Sequence, residues 1–156
     1  MQIFVDADAC PVKDEVVRVA ERHGLVYHMV SNSWMRLSES PLLRRVVVAD
    51  GPDAADDWIV DRIETGDIAV TADIPLAARC LDKRARAVGM TGKPFTRDSI
   101  GMALAMRDLM ADLRQTGDVK GNNPGFTRED RSRFLRTLEE LVQAGKRDAA
   151  APRQQP

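Results

Sequence analysis

Acidic residues at the ends of apolar runs are the part of this sequence best suited to chemistry. Asp6 and Asp8 follow an apolar run near the start of the chain, and Asp73 follows a later one in the segment VTAD. Grouped carboxylates repel one another unless protons or a cation neutralise them. Mg²⁺ and Mn²⁺ are the cations that hard oxygen ligands prefer. The pattern therefore favours a metal site, while Asp8 has the alternative role of capping the helix that Pro11 opens.

The apolar runs before these acids have the length and composition of buried strands. They are short, rich in Val and Ile, and lie at 3–5, 25–30, 46–49 and 68–70, with a weaker one at 87–90. Amphipathic helical patterns alternate with them. This alternation predicts an α/β fold of three layers, αβα, around a central, mainly parallel sheet of four to five strands.

The last third of the sequence changes character and predicts C-terminal helices. One helix covers the apolar positions from Ile100 to Leu113 and ends at the glycine- and asparagine-rich loop 117–125. The segment Thr127 to Asp130 has the order of a capping box, and an apolar stripe follows it. That helix is expected to close near Gly145. We therefore predict one domain over 1–145 and a disordered tail over 146–156.

The carboxyl ends of parallel strands lie along one edge of a sheet, and ligands bind in the crevice there. Three groups of acids that are distant in sequence should meet at this edge. The first contains Asp6 and Asp8, the second follows the third strand and begins with Asp50 and Asp53, and the third is Asp73. Asp53 is expected to be the N-cap of the second helix. Asp73 also precedes a helix, so capping is its alternative role.

A helical projection separates the paired acids of the second helix. Asp56 shares a row with Val60 and Ile63, which turns towards the core. Its neighbour Asp57 shares a row with Asp61 and Glu64, which is wholly acidic and therefore faces solvent. Asp56 is thus the better candidate ligand.

A site built from three or four carboxylates suits metal-dependent phosphoryl chemistry and needs no histidine. His23 and His28 are expected to be surface or hydrogen-bonded core residues. The two cysteines, Cys10 and Cys80, match neither a redox pair nor a zinc spacing, so reduced thiols are expected. Cys10 as a nucleophile is a weak alternative, because no histidine lies near it in sequence.

Charge and hydropathy narrow the class of protein. No 18-residue apolar stretch and no secretion signal is found, which predicts a cytoplasmic protein without membrane contact. Residues 1–82 carry 8 Lys/Arg and 15 Asp/Glu, whereas residues 83–156 carry 15 and 9. This asymmetry fits a metal centre flanked by a surface for a polyanion. Helical solvent faces alone are an equally good explanation.

Four segments together resemble a known family: DADACPVK at 6–13, DAADDWIV at 53–60, GDIAVTADIPLAARCL at 66–81 and TRDSIGMALAMRDLMADLR at 96–114. The sequence resembles the YaiI/YqxD family of uncharacterised bacterial proteins, which is considered similar to PIN-domain nucleases. The resemblance implies a PIN-like fold that uses Mg²⁺ or Mn²⁺ to cleave RNA.

The same resemblance assigns roles to individual residues. It implies that Asp6, Asp56 and Asp73 are catalytic metal ligands, with Asp8 as a fourth ligand or a water-orienting group. Thr71 matches a hydroxyl residue that contacts a phosphate or a water molecule on the metal. PIN proteins often carry Glu where this chain has Asp56, and this shorter side chain would draw the metal nearer to the helix.

Several side chains are candidates for substrate binding on chemical grounds. Lys13 could contact a phosphate, although a solvated surface role is as good an explanation. Asn32, Ser33 and Trp34 could hold a nucleotide, while Trp34 has packing as its alternative. Basic residues that could follow a phosphate backbone are Arg97, Arg107, Arg114, Lys120, Arg128 and Arg131.

Two other functions compete with a nuclease. The Asp6-Ala7-Asp8 motif also suits a haloacid-dehalogenase-like phosphatase, in which Asp6 would be the nucleophile, but Ala9-Cys10-Pro11 is not the usual continuation. The other alternative is a non-catalytic module that binds RNA or a protein partner through a PIN-like fold. A homo-oligomer is compatible with either function.

Overall fold

The computed structural model describes residues 1–49, 51, 53–116 and 125–150, and for residues 107 and 111–116 it gives the helical backbone alone. In the described residues, five parallel strands form one sheet flanked by helices. The elements are β1 (Ile3–Asp6), α1 (Lys13–His23), β2 (Tyr27–Ser31), β3 (Leu43–Val47), α2 (Ala54–Arg62), β4 (Ile68–Val70), α3 (Ile74–Asp82), β5 (Arg86–Val88), α4 (Arg97–Thr116) and α5 (Arg128–Ala150). The predicted three-layer α/β class is confirmed.

The strand order β3-β2-β1-β4-β5 places β1 at the centre of the sheet. In β1, Ile3 pairs with Tyr27 on one side and with Ile68 on the other, and every pairing in the sheet is parallel. The carboxyl ends of all five strands therefore point the same way. We call the edge formed by these ends the carboxyl edge, and the opposite one the amino edge.

Successive side chains of a strand point to opposite faces of the sheet, so the side chains of β1 pack into two separate cores. Ile3 and Val5 belong to a core with α1 and α5, whose buried side chains include Val16 and Leu138. Phe4 points to the other face and belongs to a core with α2, α3 and α4. Because both faces are buried, the strand is uniformly apolar, as the sequence showed.

The edge strand β3 begins earlier than the apolar pattern predicted. It starts at Leu43 instead of Val46 and includes Arg44 and Arg45. An edge strand has a neighbour on only one side, so it tolerates charged side chains that a central strand would not. Hydrophobicity alone therefore placed its start too late.

Two helix boundaries also differ from the prediction. Helix α1 begins at Lys13, and Val12 instead of Asp8 occupies its N-cap position. Helix α5 continues through Ala150, beyond the predicted end at Gly145, because residues after Gly145 still have partners: Lys146 Nζ contacts His23 Nδ1, and Arg86 pairs with Asp148. The rest of the predicted tail, 151–156, lies outside the described residues.

The predicted capping box at the start of α5 is confirmed. The Thr127 N–H donates to Asp130 Oδ2 and the Asp130 N–H donates to Thr127 Oγ1, both at 3.0 Å. Within the described part of the chain, no helix is long and apolar enough to cross a membrane.

Candidate metal centre at the carboxyl edge

Three acids from distant parts of the sequence lie at the carboxyl edge. Asp6 is the last residue of β1, and Asp73 is the N-cap of α3, three residues after the neighbouring strand β4. Asp56 lies in the first turn of α2. The structure thus brings the predicted residues to one region of the fold, and the charge of Asp73 contributes to the raised pKa values of Asp6 and Asp56.

Thr71 connects two of these acids directly. Its hydroxyl donates to Asp6 Oδ2 at 3.0 Å and accepts from the Asp73 backbone N–H at 2.9 Å. Thr71 is fully buried, so this hydroxyl has no access to water as an alternative partner. A single buried side chain therefore fixes the end of β1 relative to the start of α3.

Asp73 is also a helix cap, as the alternative prediction stated. Its Oδ1 accepts from the Leu76 N–H at 3.0 Å, which satisfies one of the free donors at the start of α3. A carboxylate has two oxygens, and capping uses one of them. Capping and metal binding are therefore compatible in Asp73.

Asp56 is the acid of this edge whose pKa is raised most clearly. Burial raises the pKa of Asp56 to about 6, with further contributions from the negative charges of Asp73 and Asp6. Its outer neighbour Asp57 is exposed and pairs with Arg79 at 2.9 Å. The predicted division of α2 into an inward and an outward acidic row is confirmed, since Asp61 is also exposed.

The pKa of Asp6 is also raised, chiefly by burial. The hydrogen bond from Thr71 acts in the opposite direction, and the charges of Asp73 and Asp8 raise the pKa further. These surroundings disfavour the negative charge of the carboxylate, and a bound cation would stabilise that charge. Among the described residues, no three His, Cys, Asp or Glu side chains already converge at metal-ligand distance.

Asp8 has a different role from the predicted helix cap. Its Oδ2 accepts from the Asn32 backbone N–H at 2.9 Å, and it caps no helix. Helix α1 starts five residues later, so Asp8 lies too far from its free N–H groups. Asp8 instead connects the loop after β1 to the loop after β2.

Lys13 closes the same loop after β1. Its Nζ donates to the Cys10 carbonyl oxygen at 3.0 Å, which leaves two of its three ammonium hydrogens for other partners. Within the loop, Ala9 has φ of 55°, a left-handed conformation that residues other than glycine seldom adopt. No signal in the sequence predicted this strained residue, which lies between Asp8 and Cys10.

Asp53 occupies the predicted N-cap position of α2, but its side chain makes no capping hydrogen bond. Its charge contributes to the raised pKa of Asp56. The second acid predicted after β3, Asp50, lies outside the described residues.

Trp34 is not a packing residue. Its side chain is 66% exposed, the guanidinium of Arg45 lies over its ring at 5.5 Å from the centroid, and Asn32 and Ser33 beside it are exposed as well. The sequence pattern missed this exposure because a single tryptophan in a polar loop carries no periodicity.

The predicted basic residues have different environments. Arg131 contacts the Pro11 carbonyl oxygen and Glu15 Oε1, both at 2.8 Å, so it joins α5 to α1 instead of facing a substrate. Arg97 lies 3.6 Å from Asp82. Arg128 lines an open cavity of about 390 Å³ with Glu129, Ser132, Arg133 and Arg136. The side chains of Arg107 and Arg114, and the whole of Lys120, are outside the described part.

The two histidines contact other side chains of the fold, as predicted, and the two cysteines are buried. His23 Nε2 lies 2.9 Å from Glu139, and the His28 ring stacks on Phe4 at 4.3 Å. Both cysteines are buried and free, and burial raises the pKa of each thiol, that of Cys80 to about 11. A thiol with a raised pKa is a poor nucleophile at neutral pH, which argues against catalysis by Cys10.

Comparison with known proteins agrees with this architecture. Residues 4–144 match the family model described as "Uncharacterized BCR, YaiI/YqxD family". The chain belongs to the YaiI/YqxD family. Similar relatives are the "UPF0178 protein" of Parvibaculum lavamentivorans, 65% identical over 94% of this chain and 96% of the relative, and "UPF0178 protein Rru_A0086" of Rhodospirillum rubrum, 60% identical over 94% and 99%.

A further relative, "UPF0178 protein R01393" of Rhizobium meliloti, is 56% identical over 93% of this chain and 99% of its own length. No solved structure matches the chain significantly. The family of this protein is therefore shown by its sequence, while the arrangement of its acidic edge follows from the tertiary structure.

Proposed function

We propose that this protein is a metal-dependent nuclease of PIN-like type that hydrolyses RNA phosphodiester bonds, with Asp6, Asp56 and Asp73 as ligands of Mg²⁺ or Mn²⁺. The observation that carries the proposal is the raised pKa of Asp56 and Asp6, caused by burial and by the neighbouring acids at one edge of the sheet. Perturbed pKa values of this kind are concentrated at functional sites.

The donor set has the right chemistry for these ions. It consists of carboxylate oxygens, which are hard ligands, and it contains no thiolate or imidazole that would favour zinc. Asp6 and Asp73 each give one oxygen to a hydrogen bond within the protein and keep the other. When bound, such ions would neutralise negative charge and lower the pKa of a bound water.

The surrounding residues would hold the acids in place. Thr71 keeps Asp6 and the start of α3 in register, because its buried hydroxyl bonds to both. Lys13 and Asp8 fix the loop after β1 through the Cys10 carbonyl and the Asn32 N–H. The two remaining ammonium hydrogens of Lys13 could donate to a phosphate oxygen, so this residue remains a candidate for substrate binding.

RNA is the proposed substrate because basic residues at the start of α5, in the basic second half of the sequence, lie near this edge. Gly92, which follows β5, contacts the backbone of α5 at Arg133, so the start of α5 is close to the carboxyl edge. Arg128, Arg133 and Arg136 are on this part of the helix, where they could neutralise a phosphate backbone.

The decisive experiment compares single-stranded and structured RNA in Mn²⁺ and in EDTA. Wild-type protein should cleave RNA only with the metal, and Asp6→Asn, Asp56→Asn and Asp73→Asn should each reduce the rate by at least about a hundredfold. The matched control is Asp61→Asn, which removes an exposed acid from the same helix as Asp56 and should cleave at the wild-type rate. Equal cleavage by the Asp6 and Asp61 variants would exclude this function.

The same experiment separates the two alternatives. RNA binding without cleavage under all conditions would favour the non-catalytic module. A covalent phosphate on Asp6 after treatment with an acyl phosphate would favour the phosphatase, since that enzyme forms an aspartyl phosphate.

A further inference from the structure

We propose that Trp34 is a stacking platform for one unpaired nucleobase at the side of the acidic site. This inference rests on the proposed function, because it assumes that a nucleic-acid strand crosses the carboxyl edge. It adds a binding site on the loop after β2, outside the group of acids.

The exposure of Trp34 sets it apart from the other aromatic side chains. The ring is 66% exposed, whereas the second tryptophan, Trp58, packs beside Phe4 and His28 and lies under Arg62. Large aromatic surface in water is unfavourable, at about 25 cal/mol per Å². An exposed indole therefore offers a flat aromatic face on which a ligand could stack.

Arg45 gives the ring a fixed backing on one side. Its guanidinium lies 5.5 Å from the centroid of Trp34, and its NH2 donates to the Leu37 carbonyl oxygen at 3.2 Å. With this cation over the ring, the Trp34 side chain is still 66% exposed. The arrangement is a flat ring with a cation behind it, which suits a base that stacks while its phosphate stays near positive charge.

The loop that carries Trp34 is tied to the acidic site. The Asn32 N–H donates to Asp8 Oδ2 at 2.9 Å, and Ser31 Oγ donates to the Ser33 carbonyl oxygen at 2.6 Å. Asp8 is two residues from Asp6 and contributes to the raised pKa of Asp6. The loop that carries the ring is thus joined to the loop of the acidic site by a hydrogen bond two residues before Trp34.

The surroundings of Trp34 favour a nucleobase over a protein partner. Protein interfaces place aromatic anchors in a largely apolar core from which charged groups are depleted. Here the exposed residues beside Trp34 in its own loop are polar or charged, namely Asn32, Ser33, Arg36, Ser38 and Glu39. A nucleobase needs only one π-face and tolerates this polar rim, because the rest of a nucleotide is itself polar.

The test measures binding in EDTA, so that cleavage plays no part. The probes are a 12-residue single-stranded oligoadenosine RNA and an abasic strand with the same number of phosphates. Trp34→Ala should weaken binding of the RNA roughly tenfold, the effect of losing one stacked base, and should change binding of the abasic strand less than about twofold. Trp34→Phe should restore most of the affinity.

A fluorescence measurement gives a second, independent readout. The chain has two tryptophans, so in a Trp58→Phe background the emission comes from Trp34 alone. The RNA should quench this emission, and the abasic strand should not. The matched control is Met102→Ala, which truncates another exposed apolar side chain, 76% exposed on α4, and should bind both probes like wild type.

Three results of the binding measurement would overturn the platform: equal affinities of wild type and Trp34→Ala for the RNA, an equal loss for both probes, or absence of measurable binding by wild type. A change in sedimentation coefficient on Trp34→Ala, without a change in RNA affinity, would assign the ring to a protein interface and also overturn it. If Asp6→Asn leaves cleavage intact while Trp34→Ala weakens binding, the proposed function fails and the platform stands.

Discussion

The two edges of the sheet use the same residue type in opposite ways. Asp67, at the amino edge, is buried and accepts two backbone N–H groups, from Gln2 and Glu64, each at 2.9 Å. Asp6, at the carboxyl edge, accepts from one side-chain hydroxyl and lies beside other acids. Both oxygens of Asp67 are used by the fold, whereas the carboxyl edge keeps carboxylate oxygens available.

The difference gives a test of the metal site proposed for the carboxyl edge. A buried carboxylate that is satisfied by backbone donors holds the fold together. Buried carboxylates that repel one another decrease stability in the metal-free protein, and a cation would compensate for this cost. Substitution of the buried acid should therefore decrease stability at the amino edge, whereas substitution of an acid at the carboxyl edge should change stability little.

The largest expected effect concerns two glycines at which α5 meets opposite edges. A Cβ on Gly92 would lie 2.6 Å from backbone atoms of Arg133 and Phe134, and its φ of +89° disfavours other residues. Gly92→Ala should lower the free energy of unfolding by about 3 kcal/mol. A Cβ on Gly145 would meet the flexible end of Met1, so Gly145→Ala should cost less than about 1 kcal/mol.

Urea denaturation of both variants measures this difference. Equal losses of stability would show that the contact of α5 with the loop after β5 is adjustable, and the carboxyl edge would then be less rigid than the contacts imply.

A slightly smaller effect is expected at Asp67. Asp67→Ala leaves two partly buried N–H groups without partners and should lower the free energy of unfolding by about 2 kcal/mol. Asp61→Ala, which removes an exposed acid, is the control and should change it by less than about 0.5 kcal/mol. Chemical denaturation monitored by circular dichroism measures both. Equal stabilities of the two variants would show that Asp67 does not stabilise the amino edge through its two backbone hydrogen bonds.

Thr71→Val sharpens the comparison within the carboxyl edge. The change removes the hydroxyl that bonds to Asp6 and to the Asp73 N–H, and it should lower the free energy of unfolding by about 1.5 kcal/mol. Thr71→Ser keeps the hydroxyl and should recover most of this loss. Thermal melts in EDTA compare the two variants, and a serine variant no better than valine would argue that packing of the Thr71 methyl group is what matters.

The smallest effect is the pH dependence caused by Asp56. Its folded-state pKa of about 6 exceeds the ordinary value of 3.8. The folded state therefore binds more protons between these pH values, and stability falls as pH rises from about 4 to 6. Because the side chain is partly exposed, we expect a loss of only about 1 kcal/mol after solvent screening.

Asp56→Asn should lack this decrease and should melt no lower than wild type in EDTA at pH 7. It should also lose the stabilisation that Mn²⁺ gives to wild type. Melting temperatures across pH 4 to 7, with and without Mn²⁺, provide the measurement. A lower melting temperature of the variant in EDTA would identify Asp56 as a structural hydrogen-bonding residue.

Much of the fold could be predicted because its signals are local. Apolar runs and helical stripes located the five strands and five helices that the described residues form, and the reciprocal bonds of Thr127 and Asp130 followed from their spacing. The start of β3 was placed too late, because Arg44 is tolerated only by an edge strand and sheet order is not a local property.

The candidate site was predicted in part. The inward row of α2 identified Asp56 against Asp57, since helical periodicity fixes which acid turns to the core. Of the two roles predicted for Asp8, helix capping was wrong, because its partner, the Asn32 N–H, is 24 residues away and belongs to another loop. The exposure of Trp34 was undecided for the same reason.

The sequence by itself determined which residues form strands and helices, which acids follow the strands, and the family to which the chain belongs. Only the tertiary structure decided what each acid touches: two backbone donors for Asp67, a buried threonine for Asp6, and neighbouring negative charges for Asp56. The physical reason is the distance along the sequence over which each interaction acts. Periodicity and capping act over a few residues, whereas burial, hydrogen bonding and repulsion between carboxylates depend on which distant segments the sheet places side by side.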